Sequence, residues 1–302
     1  MGEAIADGAA ESEPRPHEER PHEERPHEER PHEPRPHEVL GIVAYSNVAP
    51  LHWRLEPWEG ARFVRGVPTE LNAALLAGAV DLTLVSSVEF VRHRHELVAL
   101  PDFSVATLGP VHSVVLFHSV PWSALGGARI AVSEHSATSV ALLQVLLEHH
   151  GLEAELVPAA PDLDSMLAGH DAALLIGDGA LVEALSRRAI AGRVPYQTDL
   201  GKAWYAATRL PFTFAVWASR ADRPPSRRLV AELRAARDRG LGHLAEVART
   251  EAVELGISER AVLRYLVNFR YFLEPPDRDG LLAFAECVEP GMRREELRFL
   301  AP

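Results

Sequence analysis

The chain has 302 residues, 47% of them hydrophobic, enough for two domains of ordinary size with a core in each. The formal charge of -12 is uneven: 12 acids and five arginines fall within residues 1–38, so the remainder is close to neutral, and no Lys/Arg stripe invites nucleic acid or an anionic membrane surface. One cysteine, Cys287, excludes an intramolecular disulfide, no apolar run approaches the roughly 18 residues of a spanning helix, and no basic-then-apolar signal order opens the chain, so the cytoplasm is the expected location.

From Arg15 the pentapeptide R-P-H-E-E repeats, ending in R-P-H-E-V at Arg35 to Val39. Prolines at this frequency forbid a helix and nothing apolar is present to bury, so residues 1–38 are expected to be a disordered tail. The spacing of His17, His22, His27, His32 and His37 matches no closed zinc site, and no metal is expected. From Val39 the pattern alternates. V-L-G-I-V-A-Y reads as a buried strand, then Thr69 is expected to cap a helix with Leu71, Ala74 and Leu75 on one face and Gly78 as its stop. D-L-T-L-V, S-V-V-L-F-H-S (Ser113 to Ser119), A-R-I-A-V, D-A-A-L-L-I and P-F-T-F-A-V-W-A-S (Pro211 to Ser219) read as further strands. A helix with Val140, Leu143, Leu146 and Leu147 on one face comes after the fourth of these six strands, counting from Val39, and another comes after D-A-A-L-L-I. After Arg220 four helices are expected, near 225–240, 242–255, 258–271 and 278–288. Cys287 falls on the last, where a buried, inert thiol is expected.

Alternating strands and helices predict an α/β protein with parallel pairing. The two β-rich segments at 113–119 and 211–219 bracket a self-contained α/β unit, which suggests an insertion: residues 39–119 plus 213–302 as one lobe, 120–212 as the other, with a cleft between them and helices at the C-terminus.

Four polar stretches stand where apolar runs end: Y-S-N-V-A-P-L (Tyr45 to Leu51), V-S-S-V-E-F (Val85 to Phe90), S-E-H-S-A-T-S-V (Ser133 to Val140) and L-L-I-G-D (Leu174 to Asp178). Hydroxyls at strand ends beside helix starts make a pocket for an anion, here a carboxylated metabolite. Ser136, Thr138 and Ser139 are the expected carboxylate grip, with Ser46, Ser86 and Ser87 as further binding groups; plain helix capping is the alternative for Ser46, Ser136, Thr138 and Ser139, and satisfaction of local backbone groups for Ser86 and Ser87.

These segments, with D-L-G-K-A-W and L-P-F-T-F-A-V-W-A-S, resemble the chorismate dehydratases of the futalosine route to menaquinone over about 39–290. The resemblance implies a fold like the type II periplasmic binding proteins, used as a hydro-lyase. Chorismate would lose water to give 3-[(1-carboxyvinyl)oxy]benzoate, with no metal and no redox cofactor. It also favours Asn47 as catalytic, the amide holding a leaving hydroxyl or a carboxylate. Ser113, at the start of a strand expected to cross the cleft floor, is the second catalytic candidate, hydrogen-bonding near the reacting ring carbon or its leaving oxygen, with a plain turn residue as the alternative. His112 neighbours Ser113, but adjacent strand residues face opposite ways. Asp178 would be repelled by a dianionic substrate and serves as readily to tie down a loop. With no general base evident, a carboxylate of the substrate is the alternative proton acceptor. Rival readings are 1,4-dihydroxy-6-naphthoate synthase, of the same fold, and a noncatalytic carboxylate-binding protein. Trp53, Trp58, Trp204 and Trp217 are expected in the core or the cleft wall.

Overall fold

The computed structural model describes residues 37–133, 136–190, 192 and 195–301; the tail expectation lies outside them, apart from His37 and Glu38. Strand β1 (Glu38–Val43) is followed by a 3-10 turn (Ser46–His52), β2 (Ala61–Gly66), α1 (Pro68–Leu76), β3 (Thr83–Ser86), α2 (Ser87–Arg92), β4 (Leu97–Ala99), β5 (Val105–Thr107) and β6 (Val114–His118). Next come β7 (Arg129–Ser133), α3 (Ala137–His149), β8 (Glu155–Ala159), α4 (Leu163–Gly169), β9 (Ala172–Ile176), α5 (Gly177–Ser186), β10 (Tyr196–Asp199), α6 (Leu200–Thr208) and β11 (Phe212–Arg220). The chain closes with α7 (Arg227–Gly242), α8 (Leu244–Leu255), α9 (Glu259–Leu266), β12 (Phe269–Arg270) and α10 (Pro275–Val288).

Two five-stranded sheets carry the fold, one in the order β10-β6-β9-β7-β8 and one in the order β12-β5-β11-β3, with β4 also on β11. The β1-β2 ribbon joins the second sheet where Gly41 donates to Leu82 O at 2.9 Å. A Cβ on Gly41 would stand 2.6 Å from Thr83 Oγ1, so only glycine lets these strands approach so closely. Pairing is mixed rather than parallel. β7 runs parallel to β8 and β9, whereas β6 opposes β9 and β10, and β11 opposes β3, β4 and β5. A strand buried on both faces reads as the same apolar run in either direction, so the sequence pattern carried no information on polarity. The same ladder moves 114–118: expected with the first lobe, β6 is seated between β10 and β9 in the sheet built from residues 114–199.

Helix α1 starts at Pro68, with Val67 as its cap residue, so Thr69 lies inside the first turn rather than at the cap. Leu71 and Leu75 are buried, as are Leu142, Leu143, Leu146 and Leu147 of α3. The expected third C-terminal helix ends at Leu266 and gives way to β12, whose Phe269 and Arg270 pair with β5. Two glycines set how closely these helices dock. A Cβ on Gly240 of α7 would meet Pro50 O at 2.0 Å, and one on Gly280 of α10 would meet Pro211 O at 2.0 Å. Cys287 is exposed, not buried; partial burial, Glu286 and Glu148 push its thiol up, away from the reactive thiolate. Among the described residues no helix is long and apolar enough to cross a membrane.

Candidate functional site

A cavity of about 740 Å³, counting its open mouth, lies where elements of both sheets meet. It is built from strand ends and from the first residues of the helices and turns beyond them: Tyr45, Asn47 and Val48 after β1, Pro68 and Thr69 opening α1, Ser86 before α2, Ser136 to Ser139 opening α3, and Ile176 and Gly177 opening α5. The first N–H groups of a helix lack intrahelical partners and carry partial positive charge, so starts converging on one space favour an anion there. Val43, Val105, Val111, Val114 and Phe214 supply apolar wall. Among the described residues no Asp, Glu, Lys, Arg, His or Trp lines the cavity, so the tryptophans stand elsewhere, Trp204 and Trp217 deep in the core.

Six of the eight expected site residues line this space: Asn47, Ser86, Ser113, Ser136, Thr138 and Ser139. Ser46 and Ser87 do not. The Ser87 hydroxyl donates to Thr213 O at 2.5 Å and is fully buried. Both the hydroxyl and the N–H of Ser46 donate to the Asp178 carboxylate, the N–H at 3.2 Å, so its polar groups are spent on the protein itself. Two of the lining hydroxyls are pre-aimed. Thr138 Oγ1 accepts the Val88 N–H at 3.0 Å, and Ser86 Oγ accepts from Asn72 Nδ2 at 3.4 Å. With an oxygen lone pair engaged, each hydroxyl hydrogen is left to donate into the cavity, the direction a carboxylate needs.

Sequence reading missed Asn72 and mistook Thr69 for a cap. The signal was their spacing: three apart, they share one face of α1, and both line the cavity. Asn47 is held by its backbone, whose carbonyl accepts the Tyr271 hydroxyl at 2.9 Å, while its Oδ1 is buried without a hydrogen-bond partner.

Ser113 faces the cavity, whereas His112 is exposed and is not part of its lining. His112 adopts φ +65°, and the Asp199 carboxylate holds that bend. Asp199 accepts Val111 N–H at 3.0 Å, His112 N–H at 2.7 Å and, as cap of α6, Lys202 N–H at 2.9 Å. Asp199→Ala is therefore expected to cost about 2–3 kcal/mol, from one lost cap and two charge-assisted bonds, and to lower kcat/KM by freeing the approach to Ser113. Urea unfolding beside steady-state kinetics checks both; a variant of wild-type stability would refute the clamp.

Behind Ser46 lies a group of buried acids. Burial raises Asp178 despite its bonds from Ser46, and burial together with Asp178 raises Tyr45. Tyr265 Oη is buried without a partner of good geometry, although the hydroxyls of Ser113 and Ser46 sit near enough to offset part of the rise that burial causes. Glu251 of α8 is pushed up to about 7 by burial, Asp178 and Glu254, against the pull of Arg65. His52 is driven down to about 4 by burial and by Arg65. The folded chain thus keeps a proton on Glu251 that the unfolded chain has released, so stability declines as pH rises from about 4.5 to 7. Glu251→Gln should raise the thermal midpoint at pH 8 and leave it nearly unchanged at pH 4; equal shifts at both would disprove the linkage. No cluster of three or more His, Cys, Asp or Glu is placed to hold a metal ion among the described residues.

Residues 39–290 match the model of the menaquinone biosynthesis family. The chain belongs to this family. A Thermus thermophilus protein named chorismate dehydratase is 46% identical over 260 residues, 83% of this chain and 94% of that one. A Campylobacter jejuni protein of the same name is 26% identical over 59% of this chain and 65% of its own length. Both bear out the resemblance seen in the sequence. Among solved structures, one from Archaeoglobus fulgidus superposes with a TM-score of 0.65 at 19% identity, covering 83% of this chain and 96% of that one. The periplasmic aliphatic sulphonate binding protein of Escherichia coli gives 0.59 at 15% identity, covering 83% and 86%. At these identities the likeness shows the fold, that of the periplasmic binding proteins.

Proposed function

We propose that this protein is a chorismate dehydratase, a hydro-lyase that removes water from chorismate to give 3-[(1-carboxyvinyl)oxy]benzoate. The observation that carries the reading is the cavity where Asn47, Ser113 and the start of α3 meet, in a chain 46% identical to a protein of that name. Two lobes, residues 39–112 with 212–301 and residues 114–209, would close on the substrate, with the crossing segments as hinge. As a biosynthetic enzyme for a metabolite made inside the cell, it would work in the cytoplasm.

The chemistry asks little of the protein. A ring C–H bond and the ring C–OH bond break, a proton and hydroxide combine as water, and the ring becomes aromatic, so much of the driving force resides in the substrate. The site must hold two carboxylates, orient the ring and assist departure of hydroxide. Ser136, Thr138 and Ser139 at the start of α3, with Ser86, would grip carboxylate through hydroxyl and backbone hydrogens. Asn47 would donate its amide hydrogens to the leaving oxygen, and Ser113 would hydrogen-bond beside the reacting carbon. The ring proton would pass to a substrate carboxylate, since no Asp, Glu, His or Lys lines the cavity among the described residues. Incubation with chorismate, followed by liquid chromatography with mass detection, should reveal a product lighter by one water. Tight binding without conversion would make the protein a receptor, and neither binding nor conversion would overturn the reading.

A further inference from the structure

Asn72 is 5% exposed on α1 and contributes to the cavity wall. Its Nδ2 donates to Ser86 Oγ at 3.4 Å, which fixes the direction of the amide, and its Oδ1 is left buried without a hydrogen-bond partner. An unpaired buried acceptor costs free energy comparable to a lost hydrogen bond, so its persistence beside a ligand cavity calls for a donor brought by the ligand. On the reading that the ligand is chorismate, the choice of donor is narrow. Both carboxylates are ionised at neutral pH and only accept; the ring hydroxyl is the one donor the substrate has.

We propose that Asn72 reads the substrate's ring hydroxyl, accepting its proton at Oδ1 and so turning the departing oxygen's lone pairs toward the donors across the cavity. Asn47 Oδ1 is also unpaired, yet one hydroxyl hydrogen satisfies one acceptor. Among the described residues no neighbouring side chain fixes the direction of the Asn47 amide as Ser86 does for Asn72, which leaves Asn47 to turn its NH2 toward the same oxygen. The two amides would then divide the work, Asn72 taking the hydroxyl's hydrogen and Asn47 donating to its lone pair. The Asn72–Ser86 pair places acceptor and donor side by side, so the hydroxyl and a carboxylate can be read by adjacent groups on α1 and at the start of α2.

Substrate and product offer a clean test, because they share both carboxylates and the enol ether and only the substrate has the hydroxyl. In Asn72→Leu, close to isosteric and without polar atoms, the loss of kcat/KM for chorismate should exceed any weakening of product inhibition by roughly tenfold, the size of one lost hydrogen bond, because whatever Ser86 loses with its Asn72 partner touches both ligands alike. Normal product binding also reports a folded site; Asn72→Ser serves the same comparison if the leucine variant does not fold. Equal weakening of substrate and product, or no change in either, would overturn the assignment. Wild-type protein that fails to dehydrate chorismate would instead overturn the functional reading on which it rests, so the two failures are told apart before any variant is compared.

Discussion

Gly240→Ala is expected to destabilise the protein by about 3 kcal/mol or more, lowering the thermal midpoint by roughly 10 °C. The added Cβ would fall 2.0 Å from Pro50 O and 2.7 Å from Pro50 C, and both are backbone atoms, so no side-chain rotation can relieve the clash. The helix must lift off the 3-10 turn, and that turn carries Asn47. Activity should therefore fall along with stability. Gly242→Ala, two residues on in the same helix, is the matched control: its Cβ would meet nothing within 4 Å, and the exchange should be neutral or stabilise by up to about 1 kcal/mol. Similar midpoints for the two variants, read by scanning calorimetry, would show that α7 does not dock through Gly240.

The second large effect belongs to Asn47. Replacement by leucine should lower kcat by about 10²–10³-fold, the scale seen when a hydrogen-bond donor to a developing oxyanion is removed. The turn should survive the change, because Asn47 is anchored through its backbone carbonyl to Tyr271 while its own Oδ1 bonds to nothing. The thermal midpoint should hold or rise, since an unpaired buried acceptor disappears. Steady-state kinetics and calorimetry on one preparation check this. A loss of less than tenfold would return Asn47 to the role of turn residue.

Much of this site could be read from sequence because its logic is local. A hydroxyl or amide just past an apolar run stands at a strand end, and five of the seven residues chosen on that ground line the cavity, as does Ser113, which leads into a strand. Ser46 and Ser87 failed because the same position can turn a side chain inward; partners 132 residues away at Asp178 and 126 away at Thr213 decided their direction, and no local pattern encodes such contacts. Strand polarity failed for a related reason, since a doubly buried strand such as V-V-L-F-H has no period to betray its neighbours. Asn72 was hidden by its surroundings, a polar residue between Leu71 and Leu75 that passes for an ordinary interruption of a helix face. The early end of α9 rests on β12 pairing with β5, a contact between residues some 160 apart.

Two bonds stitch the sheets' elements together beside the cavity: Ser46 with Asp178, and Val88 with Thr138. One end of each lies in residues 38–92 and the other in residues 137–178, so on the two-lobe proposal both would have to part before the lobes open and product leaves. Unclasping, rather than bond breaking, would then set the tempo of the cycle. A first turnover faster than every later one would be its kinetic signature.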